Sequence, residues 1–206
     1  DLINADVEEV RAEYSWKGAL EYVCGRYGLS RDEVVWGSMP EQTLRLLCSK
    51  LVGHGLQVGG FVGMTHCYVA HHLRGLGGSL CTIDPNLVHR GVVNPFLIMG
   101  DMARRYGLLG NSLFVLGYAL PQMKLMCGLG ILYDFVILDG NHSYGSVMDE
   151  VVEADRILRV GGYLVLDDID HWSGPRSVYE DFPLGNYEKV VGDKRAGLLT
   201  KVGESS

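Results

Sequence analysis

Asp134-Phe135-Val136-Ile137-Leu138-Asp139-Gly140-Asn141-His142-Ser143-Tyr144 is the stretch that decides the fold. A short apolar run ends in an acid, a glycine follows, and a histidine stands three positions after the acid. A run this short, bounded by turn residues, reads as a buried strand. A second strand, Gly161-Gly162-Tyr163-Leu164-Val165-Leu166, ends in another acidic cluster, Asp167 and Asp168. Between them, residues 144–158 carry Val147, Val151, Ala154 and Leu158 as one apolar helical stripe, and Gly161-Gly162 reads as the stop of that helix. In a parallel sheet both strand ends lie on one edge, where open α/β folds bind ligands. Asp139, Asp167, Asp168 and His142 meeting there suggest a metal site with a base beside it.

The same alternation extends outward. Short β-rich runs fall at 55–58, 79–83, 112–116, 134–138, 162–166, 187–191 and 197–202, and helical stretches at 65–74, 95–106, 119–128 and 144–158 separate most of them. The pattern predicts an α/β fold: a Rossmann-like, doubly wound, seven-stranded sheet with helices on both faces. Residues 192–196 leave room only for a tight turn, so the mostly parallel sheet should end in a C-terminal antiparallel hairpin. Two helices precede the sheet, over 6–26 and from Pro40 to about Val52. No repeat or linker divides the chain, which reads as a single domain over 1–206, a helical cap at 1–52 and a Rossmann-like core at 53–206.

Composition bounds the partners. A net charge of −7 argues against a nucleic-acid partner held by phosphate contacts. No apolar run approaches the length of a membrane span, and the acidic start Asp1-Leu2-Ile3-Asn4-Ala5-Asp6 is unlike a secretory signal. The five cysteines (Cys24, Cys48, Cys67, Cys81, Cys127) form no C-x-x-C pair and sit in apolar stretches, which points to reduced thiols and a cytoplasmic location. The apolar segment containing Trp16, Leu20, Tyr22, Val23, Val34, Val35 and Trp36 offers surface for a homo-oligomer.

The first strand runs into Leu56-Gln57-Val58-Gly59-Gly60-Phe61-Val62-Gly63-Met64-Thr65. Glycines allow a sharp turn and close approach of a ligand to the backbone, and the next helix offers free N–H groups. Phe61 and Met64 stand where a G-x-G-x-x-G dinucleotide loop needs glycine, which weakens a nicotinamide or flavin reading. Asp84 ends the second strand, placed to accept hydrogen bonds from ribose hydroxyls, with helix capping as the plainer alternative.

Together these residues resemble the class I S-adenosylmethionine (SAM)-dependent methyltransferases over roughly residues 38–202. The Asp139–Tyr144 and Leu166–Asp168 motifs resemble the small metal-dependent O-methyltransferases, most closely the group that includes antibiotic-sugar O-methyltransferases of natural-product biosynthesis. Catechol-type enzymes share the layout without the histidine. The resemblance implies that Gly59, Gly60, Phe61 and Gly63 surround the methionine part of SAM and that Asp84 holds the ribose. Gly117, Tyr118 and Ala119 would lie along the adenine. Asp139, Asp167 and Asp168 would bind a divalent metal, with Asp139 also at the cofactor's edge and His142 as catalytic base. Two positions depart from the pattern: Gln57 and Tyr118 stand where many relatives carry acids.

Three carboxylates suit a hard cation such as Mg²⁺, which prefers oxygen ligands. Such a cation would hold two neighbouring oxygens of a small hydroxylated substrate, a sugar or phenol, and His142 would take a proton at neutral pH. Asp170, His171 and Trp172 form a loop placed to cover that substrate. The rival readings are a metal-dependent hydrolase or hydroxylase on the same fold and a non-catalytic cofactor-binding subunit.

Overall fold

In a computed structural model the described residues are 12–190 and 192–204. Three helices, α1 (Trp16–Tyr27), α2 (Arg31–Trp36) and α3 (Glu41–Cys48), precede the first strand, β1 (His54–Val58). Then α4 (Met64–Arg74), β2 (Ser79–Asp84), α5 (Pro95–Arg105) and β3 (Ser112–Leu116) alternate. The second half follows as α6 (Ala119–Gly128), β4 (Tyr133–Leu138), α7 (Tyr144–Ile157), β5 (Leu158–Leu166) and α8 (Ser173–Glu180). The chain closes with β6 (Tyr187–Val190) and β7 (Gly197–Lys201). Residues 6–11 of the expected first helix lie outside the described residues.

The sheet order is β3-β2-β1-β4-β5-β7-β6, parallel from β3 to β5, with β7 antiparallel to both its neighbours. The chain therefore winds outward from β1 to β3 and restarts on the other side of β1 at β4, a switch point that opens a crevice beyond the strand ends. Side chains alternate across the sheet. Phe135, Ile137 and Val165 pack with α1–α5 on one face. Leu56, Val136, Leu138 and Leu164 pack with α6, α7 and α8 on the other. Gly55 matters on the first face, because a Cβ there would collide with the Phe135 ring.

Three elements differ from the sequence reading, the first being α2, a third helix ahead of the sheet where two were expected. The segment after Asp168 contains α8, whose Ser-Gly-Pro start gives little helical signal but whose Val178 is buried in the second core. Gly161-Gly162 does not end α7, which passes directly into β5 at Leu158. The pair sits in a bulge: β4 advances from Tyr133 to Phe135 while β5 advances from Leu158 to Tyr163. Gly161 has φ +85°, and a Cβ on Gly162 would press on the Asp134 carbonyl at 2.7 Å, so glycine serves a bulge here. Of the apolar segment expected to offer oligomer surface, Leu20, Val23 and Val34 are buried within the chain, Trp16 and Tyr22 are half-buried, and Val35 and Trp36 are exposed.

Candidate active site

The crevice at the switch point is a cavity of about 440 Å³. Gly59, Gly60, Phe61, Asp84, Tyr118 and Ala119 line one end, and Asp139, His142, Asp168 and Arg195 the other. Gly63, Gly117 and Asp167 stand behind this lining. Gly63 starts α4 with φ +89° against Met99, and the Gly117 N–H donates to the Asp84 carbonyl at 3.0 Å.

The glycine loop is fixed by backbone bonds. Gly59 donates to the Ile83 carbonyl at 2.9 Å, and its Cα faces the Asp139 carbonyl so closely that any Cβ would collide. One oxygen of Asp84 accepts from the N–H groups of Gly60 (2.8 Å) and Phe61 (3.1 Å), and the other accepts from Asn86 N–H (2.7 Å). Asp84 thus shapes the loop from below, and of its roughly four lone-pair sites about one stays available to a ligand. Gln57 is buried and donates from Nε2 to the Gly59 carbonyl at 2.6 Å. Beneath it His66 bridges Thr82 (2.7 Å) and Ser112 (2.8 Å), a core histidine that burial pushes down to about 3 and so keeps neutral.

At the other end, one oxygen of Asp139, one of Asp168 and a ring nitrogen of His142 lie within 4.8 Å of one another. Asp139 follows β4, and its N–H is tied to the Val58 carbonyl at 3.0 Å. Asp168 follows β5 in the left-handed region (φ +61°), a strained placement that turns its carboxylate toward the cluster. His142 stands on a turn closed by Asn141 Oδ1, which accepts from Ser143 N–H (2.8 Å), before Ser143 caps α7. Trp172 stacks on His142 at 5.1 Å, and the His142 Nε2 sits 2.8 Å from Asp168 Oδ2, off the line of a good hydrogen bond. Trp36 and His171 extend this aromatic rim, with rings 5.5 Å apart.

Burial, then the charges of Asp167 and Asp168, raises the Asp139 carboxyl well above the usual range. Burial would raise Asp168 as well, but the His142 contact and the Arg195 charge outweigh it and hold Asp168 below its ordinary value. Asp167 is placed differently from the other two acids. Both its oxygens face Arg195, at 2.9 Å from Nε and 3.2 Å from Nη2, and the same Nη2 lies 2.8 Å from Asp168 Oδ1.

Two site residues escaped the sequence reading. Arg195 belongs to the turn before β7, where an arginine normally reads as solvated. Its position follows from the antiparallel pairing of Leu166 with Gly197, which brings that turn to the ends of the parallel strands. Glu150 lies buried in α7 and lines the same cavity, its Oε1 3.3 Å from where a Gly140 Cβ would stand. Its place in the α7 repeat, three residues after Val147, was the available signal.

A doubly wound sheet with a glycine loop on the first strand, an acid on the second and an acid–histidine cluster across the switch point defines a class: an open α/β protein built to hold a nucleotide-like ligand beside a polar reaction centre. The methyltransferase-domain family matches residues 56–169, and the chain belongs to that family. Similar solved structures include the O-methyltransferase TomG from Streptomyces achromogenes, involved in tomaymycin synthesis and solved with SAM (16% identity, TM-score 0.66, 94% of this chain on 92% of that one). The O-methyltransferase from Bacillus cereus in complex with SAH is similar at 16% identity and TM-score 0.68, over 96% of this chain and 95% of that one. A methyltransferase from Geobacter sulfurreducens is 15% identical with TM-score 0.64, over 94% and 92%. At these identities the likeness is one of fold. A search of curated protein sequences found no match.

Proposed function

We propose that the protein is a SAM-dependent O-methyltransferase that methylates a hydroxyl of a small molecule such as a natural-product sugar or phenol, with help from a divalent cation. The observation that carries this reading is the placement of the Asp139–His142–Asp168 cluster and the Gly59–Asp84 end in one cavity. Family membership and the SAM- and SAH-bound neighbours support the donor.

In this reading the Gly59–Phe61 loop receives the donor's methionine part and Asp84 accepts from one ribose hydroxyl, while Tyr118 and Ala119 border the base. The donor set also fits a cation. Ligand oxygens on opposite sides of one cation lie about 4.2 Å apart for Mg²⁺ and up to about 5.2 Å for Ca²⁺, and the Asp139 and Asp168 oxygens lie within 4.8 Å of each other. Asp139 and Asp168 would hold Mg²⁺, and the bound ion would lower the pKa of the acceptor hydroxyl. Asp167, first expected as a third ligand, is engaged by Arg195 and serves the site from behind. His142 takes the acceptor's proton as the oxygen attacks the methyl carbon and the carbon–sulfur bond of SAM breaks to release SAH, and Trp172 holds the imidazole ring in place.

The test is methyl transfer from SAM to a panel of phenols, catechols and sugar hydroxyls, with Mg²⁺ and with EDTA. Activity that falls with EDTA and in Asp139→Ala supports the reading. His142→Ala should lower kcat by about 10²–10⁴-fold while SAH still binds. If SAH binds but no hydroxyl is methylated under either condition, the chain is a cofactor-binding subunit instead.

A further inference from the structure

We infer that Arg195 is a positioning residue that sets the ligand set of the site: it withholds Asp167 and one oxygen of Asp168 from any cation, leaving Asp139 and the other Asp168 oxygen. The inference takes these two carboxylates as the cation's donors, as proposed above, but its test also decides the case in which the native protein binds no cation.

Arg195 is built into the fold. Its N–H and that of Ala196 donate to Asp193 Oδ1 (2.9 and 2.8 Å), while Thr43 of α3 donates to Asp193 Oδ2 at 2.6 Å. The Arg195 carbonyl accepts from Ile169 N–H at 3.0 Å, which joins the turn to the segment just past Asp168. From this anchored backbone the guanidinium fork spans both acids, a bidentate grip on Asp167 and a single contact on Asp168 Oδ1. A planar fork suits that task where a lysine ammonium would not. Asp168 Oδ2 is then the oxygen of the Asp167–Asp168 pair that faces His142. Asp167 is fully buried with its partner supplied from within the chain, so a cation would have to break an existing pair to use it.

The consequence runs opposite to that of an ordinary structural arginine. Removing Arg195 takes a positive charge away from the carboxylates and frees more of their oxygens, so the site should bind a divalent cation more tightly. Mn²⁺ binding, followed by electron paramagnetic resonance on the full chain without donor or acceptor, reads this directly. Arg195→Gln should tighten Mn²⁺ at least about tenfold, because unit charges a few ångströms apart in a partly buried site interact by more than 1.4 kcal/mol. Lys194→Gln, the same charge change on an exposed neighbour, should move it less than about threefold. Unchanged or weaker binding in Arg195→Gln overturns the inference. If the native chain binds no Mn²⁺, binding gained in Arg195→Gln still upholds it while removing the cation from the proposed function, and binding in neither overturns it. Should Arg195→Gln fail to fold, Asp167→Asn against Asp168→Asn decides. Asp168→Asn should weaken Mn²⁺ at least about tenfold more than Asp167→Asn, and equal losses overturn the inference.

Discussion

Glu150 shows how a single side chain can carry a pH dependence that no motif announces. Burial, with a smaller share from the charge of Asp149, pushes its carboxyl from 4.5 up to about 7. Between those values the folded protein keeps the proton that the unfolded chain releases, so the contribution of Glu150 to stability is lost as pH rises through this window. Above pH 7 the ionised carboxylate destabilises the fold by up to about 3 kcal/mol. Glu150→Gln should therefore match the native protein in urea unfolding near pH 4 and exceed it at pH 8. An unchanged difference across that range would show that the group is solvated. The acids at strand ends were readable at this scale, because a carboxylate closing an apolar run has few other reasons to be there. Glu150 and Arg195 were not, since one hides in a helical repeat and the other in a charged turn.

The glycine loop is an element whose conformation leaves no room for a side chain. Gly59 has φ +83°, and a Cβ would strike the Asp139 backbone, which β1–β4 pairing holds in place. Left-handed strain alone costs about 1–3 kcal/mol for a non-glycine residue. Gly59→Ala should thus lose at least about 2 kcal/mol in urea unfolding and weaken SAH binding with it. Gly100 lies inside α5 with open space at its Cβ, so Gly100→Ala should gain about 0.5–1 kcal/mol by ordinary helix propensity. Equal effects at the two positions would contradict the packing described. Strands and long helices were legible because their periodicity spans many residues. The six-residue α2 and the Gly-Pro-containing α8 gave too short a signal. The Gly161-Gly162 pair was misread because a bulge and a helix stop ask for the same residue type.

At the scale of the whole molecule, topology assembles the site from distant parts of the chain. The restart at β4 places Asp139 beside Gly59, and the reversed β7 returns the Arg195 turn to the edge where the parallel strands end. Had β7 run parallel to β5, the turn before it would lie at the opposite edge of the sheet. Ligand binding in such a crevice bridges both halves of the sheet and should stabilise the entire fold. A ligand at one hundred times its Kd adds about 2.7 kcal/mol when it binds only the folded state. For a chain of this size each kcal/mol is worth roughly 2–4 °C in Tm, so saturating SAH should raise Tm by roughly 5–10 °C in a calorimetric scan. Arg195→Gln should retain most of that rise, because the Gly59–Asp84 end of the cavity does not use Arg195, whereas Gly59→Ala should lose it. A rise that vanishes in Arg195→Gln while surviving in Gly59→Ala would reverse the assignment of the two ends of the cavity.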